Sequence, residues 1–270
     1  MERKRGGKMD EAMTRPVKVK GLSIGEGRPK LCVPIVADTI GAVSAQSARI
    51  AGFLAEHPGA VELVEWRADW MPSVEDEIGM TALEVIRAAL PEMPLLFTFR
   101  TQKEGGEQAI AKEDYWKLAC RMMGSGEIDL VDVELSMGDE LLREAVLEAH
   151  GRGVKVVASN HDFHGTPSVQ EMVSRMTRME AMGADILKIA VMPQEPKDVL
   201  KLLSASVEMS RRSERPVITI AMSGMGAVSR ICGEVFGSSI TFGTVGESSA
   251  PGQMDVLEMK RMMEALSTGK

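Results

Sequence analysis

A single lysine interrupts an apolar stretch of the chain. Lys188 lies in ADILKIAVMP (184–193), whose β-branched residues and closing proline are typical of a buried strand. An ammonium group is costly to bury without a partner, so this position points to a function. A neutral lysine is a nucleophile for carbonyl groups and forms a Schiff base with them. We expect burial and neighbouring cations, Arg67, Arg100 or a protonated His161, to favour that neutral form.

A Schiff base acidifies a neighbouring C–H bond, and His161 is the candidate base for its proton. Imidazole titrates near neutrality, which suits a general acid and base. We expect a carboxylate, Asp132 or Glu134, to fix its orientation. A second histidine, His164, follows in HDFH (161–164), but no third ligand stands at a recognisable spacing. The sequence therefore predicts no metal site.

These residues belong to a series of eight short apolar runs, separated by longer amphipathic stretches. Near-continuous apolar runs are typical of parallel strands covered by helices. Their spacing of roughly 25 to 35 residues matches one strand–helix crossover each. The series predicts a (β/α)8 barrel, with a doubly wound sheet as the alternative, although no GxGxxG follows the first run. The runs are LCVPIVA (31–37), VELVEWR (61–67), PLLFTFR (94–100), IDLVDVEL (128–135), VKVVASN (154–160), DILKIAV (185–191), VITIAMS (217–223) and ITFGTV (240–245).

The chain before the first run has two parts. VKVKGLSIGEGRPKLCV (17–33) predicts a β-hairpin that turns at Gly25–Gly27 and closes the bottom of the barrel. The basic residues 1–16 are expected to form a mobile tail. We expect residues 17–270 to form a single domain. The predicted helices include 42–56, 113–125, 169–183, 196–212 and 254–267.

Side-chain alternation places the polar residues of the strands on one face. Lys188 shares its face with Ile186 and Ala190, opposite the bulkier Leu187 and Ile189. The polar groups stand near the carboxyl ends of strands two to six and should converge at the top of the barrel, where barrel enzymes have their sites. A network of ion pairs that serves only stability is the alternative, but an apolar filling is usually no less stable. The residues on the polar face are Glu65, Arg67, Arg100, Asp132, Glu134, His161 and Lys188.

Two glycine-rich loops follow the last two strands, SGMGAVSR (223–230) and GTVGESSAPGQ (243–253). Loops at those positions of a barrel often bind phosphate through backbone N–H groups. Arg230 ends the first loop, and a guanidinium can bind a carboxylate through two hydrogen bonds. The loops alone therefore leave both a phosphate and a carboxylate ligand open.

The composition excludes several function classes. The formal net charge of −7 argues against nucleic-acid binding, which needs concentrated basic surface. No apolar run approaches the ~18 residues of a membrane span. The three cysteines, Cys32, Cys120 and Cys232, are far apart in the sequence. They fit reduced thiols in the cytoplasm better than a disulfide framework.

Six motifs follow one another along the chain. They are EWRAD (65–69), TFRTQKEGGE (98–107), DVEL (132–135), SNHDFHGTP (159–167), LKIAVMP (187–193) and MSGMGAVSRICGEVFGSSITFGTVGESSAPGQ (222–253). Taken together and in this order, they resemble the type I 3-dehydroquinate dehydratases, the Schiff-base enzymes of the shikimate pathway of aromatic amino acid biosynthesis. The resemblance covers about residues 17–267.

The resemblance implies a role for each of ten residues. Lys188 would form the imine, His161 would be the general acid and base, and Asp132 would orient the histidine. The residues implied in binding 3-dehydroquinate are Glu65, Arg67, Arg100, Glu104, Arg230, Ser249 and Gln253. The family implies a homodimer and neither a metal nor an organic cofactor. Two rivals remain: a lysine-imine aldolase acting on a sugar phosphate, and a non-enzymatic binding protein for polyhydroxy acids.

Overall fold

The computed structural model describes residues 14–246 and 254–267. A two-stranded antiparallel sheet, β1 and β2, precedes a sheet of eight parallel strands, β3 to β10, and helices cover its outer face. The strands are β1 (Val17–Val19), β2 (Leu22–Ile24), β3 (Lys30–Ile35), β4 (Leu63–Arg67), β5 (Leu95–Thr98), β6 (Leu130–Glu134), β7 (Lys155–Asp162), β8 (Ile186–Val191), β9 (Val217–Ala221) and β10 (Ile240–Phe242). The helices are α1 (Ile40–Glu56), α2 (Glu77–Ala89), α3 (Lys112–Gly124), α4 (Asp139–Gly151), α5 (Val169–Ala181), α6 (Pro196–Arg212), α7 (Ala227–Ile231), α8 (Gly233–Phe236) and α9 (Val256–Ala265).

The parallel sheet curls into a nearly closed barrel. Its strands follow the chain order from β3 to β9, and β10 pairs with β3 on the other side. Val217 forms a single parallel bridge with Ser238, next to β10, and so draws the two ends of the sheet together. The neighbouring Ser239 links both sides, because it donates to Val217 O at 2.8 Å and accepts from Lys30 N at 2.9 Å. The predicted (β/α)8 class is confirmed, and the doubly wound alternative is wrong.

The amino-terminal hairpin closes the barrel at the bottom, but its turn lies elsewhere than predicted. The chain turns at Lys20–Gly21, where both residues have positive φ, 43° and 80°. A two-residue turn of this kind matches the twist of antiparallel strands. The sequence prediction of a turn at Gly25–Gly27 is therefore wrong, although both of those glycines also have positive φ.

A layer of apolar side chains fills the lower part of the barrel. Each of the eight parallel strands contributes one residue to this layer, and β1 and β2 pack against it from below through Val17, Val19 and Ile24. Because this layer is apolar all round, it seals the barrel and separates the hairpin from the residues higher up. The layer consists of Cys32, Leu63, Leu96, Leu130, Val157, Ile186, Ile218 and Ile240.

A second, larger core lies between the strands and the surrounding helices. Residues 1–13 of the expected tail lie outside the described residues; within the rest of it, Arg15 N donates to Glu214 O at 2.7 Å. None of the helices within the described ranges is both long and apolar enough to cross a membrane.

Candidate active site

A cavity of about 560 Å³ opens at the carboxyl ends of the barrel strands. Its floor is the layer of side chains two residues beyond the apolar seal, in line with the alternation of a strand. Strands β4 to β8 contribute polar residues to this floor, and the other three strands contribute apolar ones. The polar members are Glu65, Thr98, Asp132, Ser159 and Lys188, and the apolar ones are Pro34, Ile220 and Phe242.

Lys188 points into this cavity, as the alternation predicts, and only 4% of the residue is exposed. Its Nζ lies 3.6 Å from Glu65 Oε1, 3.5 Å from Asp132 Oδ2 and 4.8 Å from the centre of the Phe242 ring. Among the described residues, no hydrogen bond to Asp132 Oδ2 is found, so that oxygen remains available to a charge at Nζ. We expected cations beside Lys188, but the charged groups nearest to it are carboxylates.

Arg100 joins the acidic residues of the floor. Its Nη2 donates to Asp132 Oδ1 at 2.9 Å, and its Nη1 donates to Glu134 Oε1 at 2.8 Å and to Ser159 Oγ at 3.1 Å. Burial alone would lower the pKa of Arg100, but the carboxylates of Asp132, Glu134 and Glu104 raise it. Burial likewise would raise the pKa of Asp132, and Arg100 and Lys188 outweigh it, so that this pKa is lowered. The floor is therefore a set of mutually neutralising charges.

Glu104, and not Asp132 or Glu134, holds the imidazole of His161. Its Oε2 lies 3.1 Å from His161 Nδ1 and also accepts the backbone N–H of His161 at 2.9 Å. Asp132 is occupied with Arg100, Ser159 and Lys188 instead. The expectation that Asp132 orients the histidine thus disagrees with the geometry, which gives that position to the loop residue Glu104.

The side chains of Glu104 and His161 have shifted pKa values. Burial lowers the pKa of His161 well below its usual range, and the cations Arg100, Lys188 and Arg67 act in the same direction. Burial and the charge of Glu134 raise the pKa of Glu104 to about 7, although Arg100 acts against them. At neutral pH the imidazole is therefore uncharged, and Glu104 gains or loses its proton near pH 7.

Two consecutive glycines allow the Glu104 loop to reach His161. Gly105 has a φ of 82°, and a Cβ there would overlap the ring of Phe163. A Cβ on Gly106 would overlap the carbonyl oxygen of Arg100. The two glycines of TFRTQKEGGE therefore indicate, from the sequence alone, a loop that packs closely against its neighbours, since only glycines permit such a close approach.

Arg67 stands at the end of β4 and lines the cavity. Asp69, which is fully buried, accepts from Arg67 Nε and Nη2, both at 2.8 Å, and from the backbone N–H of Arg100 at 3.2 Å. Burial would lower the pKa of Arg67, and the bonds to Asp69 raise it. Asp69 was not among the predicted site residues, although its place two residues after Arg67 in EWRAD was a usable signal.

Arg230 lines the opposite wall, and it lies on a short helix rather than in the loop that the glycines predicted. A 3₁₀ turn (Gly224–Gly226) leads directly into α7. In the described part of the chain, Arg230 Nε is buried without a hydrogen-bond partner, and Nη1 makes one long bond of 3.4 Å to Phe242 O. Burial lowers the pKa of Arg230. A buried guanidinium with free donors is suited to a carboxylate ligand.

Two of the predicted binding residues, Ser249 and Gln253, lie outside the described residues. The remaining eight line the cavity or, in the case of Asp132, contact Lys188 beneath it. His164, the second histidine of HDFH, is exposed, and its backbone N–H donates to Asp162 Oδ1 at 3.1 Å.

Comparison with known proteins gives a consistent result. The model of the type I 3-dehydroquinase family matches residues 31–270. The 3-dehydroquinate dehydratase of Listeria innocua is 47% identical over 251 residues, which are 93% of this chain and 97% of the relative. The Clostridioides difficile enzyme of the same name is 45% identical over 257 residues, covering 94% and 98% of the two chains.

A solved structure shows the same similarity in three dimensions. The crystal structure of type I 3-dehydroquinate dehydratase from Clostridium difficile with covalent modified comenic acid superposes with a TM-score of 0.90. It is 44% identical to this chain, and the superposition covers 96% of this chain and 100% of that one.

Proposed function

The chain belongs to the type I 3-dehydroquinase family, whose members are hydro-lyases that dehydrate 3-dehydroquinate, and we propose that it carries out this reaction through an imine on Lys188. The single observation that carries the proposal is the position of Lys188. Its amine is buried on the floor of the cavity, and His161 lines the same cavity from the neighbouring strand. The product is 3-dehydroshikimate.

The first half of the reaction forms the imine. The ammonium of Lys188 must lose a proton before it attacks the C3 ketone of the substrate. The carbinolamine then loses water, with His161 as the proton donor, and leaves a positively charged iminium. Glu65 and Asp132, at 3.6 and 3.5 Å from Nζ, are placed to stabilise that charge.

The second half of the reaction removes water from the ring. His161 takes a proton from C2, and the electron pair of that bond flows into the iminium to form an enamine. The enamine then expels the C1 hydroxyl, which leaves as water with a proton from His161. Hydrolysis of the imine releases the product and restores the amine. The lowered pKa of His161 supports its role as a neutral base at the start.

The walls of the cavity support the binding of a polyhydroxy acid. Arg230, whose buried Nε has no hydrogen-bond partner among the described residues, is the proposed anchor for the substrate carboxylate. Glu65, Arg67 and Arg100 would bind hydroxyl groups, and Ser249 and Gln253 complete the proposed binding set. A guanidinium pairs bidentately with carboxylates and with phosphates, so the family match is what favours the carboxylate of 3-dehydroquinate over the sugar phosphate of an aldolase.

Reduction of the trapped imine tests the proposal. The protein is incubated with 3-dehydroquinate and sodium borohydride, and the modified peptide is identified by mass spectrometry. We expect the adduct on Lys188 and none in Lys188→Met, whereas Lys155→Met, which alters a lysine on the neighbouring strand, should be labelled normally. An adduct at another lysine, or no adduct in the wild-type protein, would refute the proposal.

His161→Ala separates the imine from the later steps. This variant should form the imine more slowly and turn over very slowly. On long incubation it should still accumulate the reducible adduct on Lys188, because proton removal from C2 follows imine formation and depends on His161 as the base. Normal turnover in this variant would contradict the acid/base assignment.

We also propose a domain extent, a location and an oligomeric state for the protein. Residues 17–270 form one domain, supported by the packing of Val17, Val19 and Ile24 beneath the barrel. The enzyme is a cytoplasmic homodimer, in keeping with three free thiols and with exposed apolar residues such as Val228 and Val235. Sedimentation equilibrium should give twice the 29.3 kDa mass of the chain.

A further inference from the structure

The only asparagine in the chain lies beside the proposed acid/base pair. Asn160 Nδ2 donates to Glu104 Oε1 at 3.2 Å, and Asn160 Oδ1 accepts from Arg175 Nη1 at 2.8 Å. Guanidinium groups only donate hydrogen bonds, so the orientation of the amide is fixed by its two partners. A chain of hydrogen bonds therefore runs from Arg175 on α5 through Asn160 and Glu104 to His161.

Both faces of β7 take part in this arrangement. Ser159 and His161 point into the barrel, and the alternation turns Asn160 outwards, towards α5. The carboxylate of Glu104 lies across the end of the strand, with Oε2 towards His161 on the inner side and Oε1 towards Asn160 on the outer side. Each oxygen of the carboxylate thus has its own partner.

We propose that Asn160, held by Arg175, is a positioning residue that stabilises the carboxylate form of Glu104 and thereby the basic form of His161. The proposal deepens the function assigned above and rests on it. Asn160 acts through Glu104 and does not touch the substrate.

The effect of Asn160 follows from where Glu104 and His161 carry their protons. When Glu104 is ionised, Nδ1–H of His161 donates to Oε2, and Nε2 carries the lone pair of a base. When Glu104 is protonated on Oε2, it donates to Nδ1, and Nε2 carries a proton and is an acid. The amide of Asn160 donates to Oε1, which favours the ionised carboxylate and confines its proton to Oε2. Both forms are accessible near neutrality, because the pKa of Glu104 is about 7.

Other charged groups also shift the pKa of Glu104, and they determine in which direction the loss of Asn160 changes it. Arg100 Nη1 lies 3.5 Å from Glu104 Oε2 and favours the carboxylate, whereas Glu134 opposes it. Loss of the Asn160 donor therefore adds to the effect of Glu134 and raises the pKa of Glu104 further. The charged groups around the pair are Arg67 from β4, Arg100 following β5, Glu134 from β6 and Lys188 from β8; those around Asn160 are Asp162 from β7 and Glu171 and Arg175 from α5.

The pH dependence of kcat/KM tests the proposal. Asn160→Leu removes the donor and keeps the volume, and we expect its acidic limb to move up by about one pH unit. Asn160→Asp adds a charge that repels the carboxylate and should move the limb at least as far. Arg175→Met should produce a smaller shift in the same direction. Arg178→Met is the matched control, because Arg178 lies on the same helix and pairs with Asp139 instead.

Nuclear magnetic resonance gives a second reading that needs no turnover. Because the chain has one asparagine, labelling with [15N]asparagine yields a single side-chain amide. We expect its hydrogen-bonded proton to shift with pH around the pKa of Glu104, and the titration to disappear in Glu104→Gln. The measurement is made without substrate, so it stands even if borohydride finds no imine on Lys188.

The outcomes separate positioning from plain packing. If Asn160 serves only the packing of β7, its variants lower kcat/KM equally at all pH values and leave the limb unmoved. That result, or an Asn160 resonance that does not respond to pH in the folded wild-type protein, would overturn the proposal.

Discussion

Asp69 holds the guanidinium of Arg67 at the wall of the cavity. It is fully buried and receives two hydrogen bonds from Arg67, one from Arg100 N and one from the backbone N–H of Glu107. A carboxylate is the only common side chain that accepts from so many donors at once. The direction in which the guanidinium of Arg67 enters the cavity therefore depends on Asp69.

Asp69→Asn should weaken substrate binding more than the chemical steps. The amide places a donor against the donors of Arg67, and a lost hydrogen bond to a charged group is worth about 1.5–3 kcal/mol, which corresponds to roughly a tenfold rise in KM or more. We expect kcat to fall less and the imine to form at saturating substrate. Steady-state kinetics with Asp114→Asn as a control, an exposed acid paired with Lys117, measures this, and an unchanged KM would contradict it.

Residue contacts were predictable from the sequence where strands supply both partners. Alternation along β8 and β6 placed Lys188 and Asp132 inside the barrel, because a strand has one fixed periodicity. The partner of His161 was not predictable in the same way. Glu104 reaches it from a loop, and the path of that loop depends on the close approach of Gly105 to Phe163, a contact between distant parts of the sequence.

At the scale of elements, the short helix α7 controls where Arg230 stands. The preceding turn packs tightly, because a Cβ on Gly226 would overlap the carbonyl oxygen of Ala221, while a Cβ on Gly224 meets nothing within 4 Å. Ser229 Oγ tightens the turn further, since it donates to Gly226 O at 2.8 Å and accepts from Ala221 N at 3.0 Å. The turn therefore ties α7 to the end of β9.

The two glycines of this turn form a matched pair of variants. Gly226→Ala must push α7 away from β9 and carry Arg230, one helical turn later, out of position. We expect a rise in KM of several-fold or more and a loss of stability of about 1–3 kcal/mol from overpacking. Gly224→Ala should leave both nearly unchanged. Similar kinetics for the two variants would show that the turn does not determine the position of Arg230.

Apolar runs predicted all eight barrel strands, because both faces of a covered parallel sheet exclude water. The hairpin turn was misplaced for a local reason. Lys20–Gly21 and Gly25–Gly27 both offer glycine in the left-handed region, and the choice between them depends on how β1 and β2 fit beneath the barrel. The helix α7 was missed because a five-residue helix shows too little periodicity to identify.

The whole molecule separates stability at the bottom from chemistry at the top. Ile24, on strand β2 of the amino-terminal hairpin, is fully buried beneath the apolar layer that divides the hairpin from the cavity. Ile24→Ala should lower the free energy of unfolding by about 2–5 kcal/mol, with kcat and KM unchanged below the unfolding temperature. Leu147→Ala is the control. Because Leu147 is 74% exposed, this variant should change the free energy of unfolding little. If Ile24→Ala is less active at a temperature at which it is still folded, the hairpin also shapes the cavity.

The pair formed by Glu104 and His161 also links the stability of the whole fold to pH. In the unfolded chain His161 titrates at its ordinary 6.5 and Glu104 at 4.5, so between these values the pair holds one proton, on the imidazole. In the folded protein the pair again holds one proton, but on Glu104, whose pKa is about 7, because the pKa of His161 is lowered. Unfolding thus moves a proton from one residue to the other without binding or releasing it, and the pair contributes no slope of stability against pH in this window.

Glu104→Gln removes this compensation. The folded variant then holds no proton on the pair, since burial and the cations Arg100, Lys188 and Arg67 keep His161 neutral, while the unfolded chain still takes one up below 6.5. Stability rises with pH wherever the unfolded state binds more protons, so the variant should lose up to about 1.4 kcal/mol per pH unit, relative to the wild type, as the pH falls from 6 to 5. Urea unfolding of both proteins across this range measures the difference, in which all other titrating groups cancel. Parallel curves would mean that the folded protein does not keep its proton on Glu104, and that His161 is charged where we infer it to be neutral.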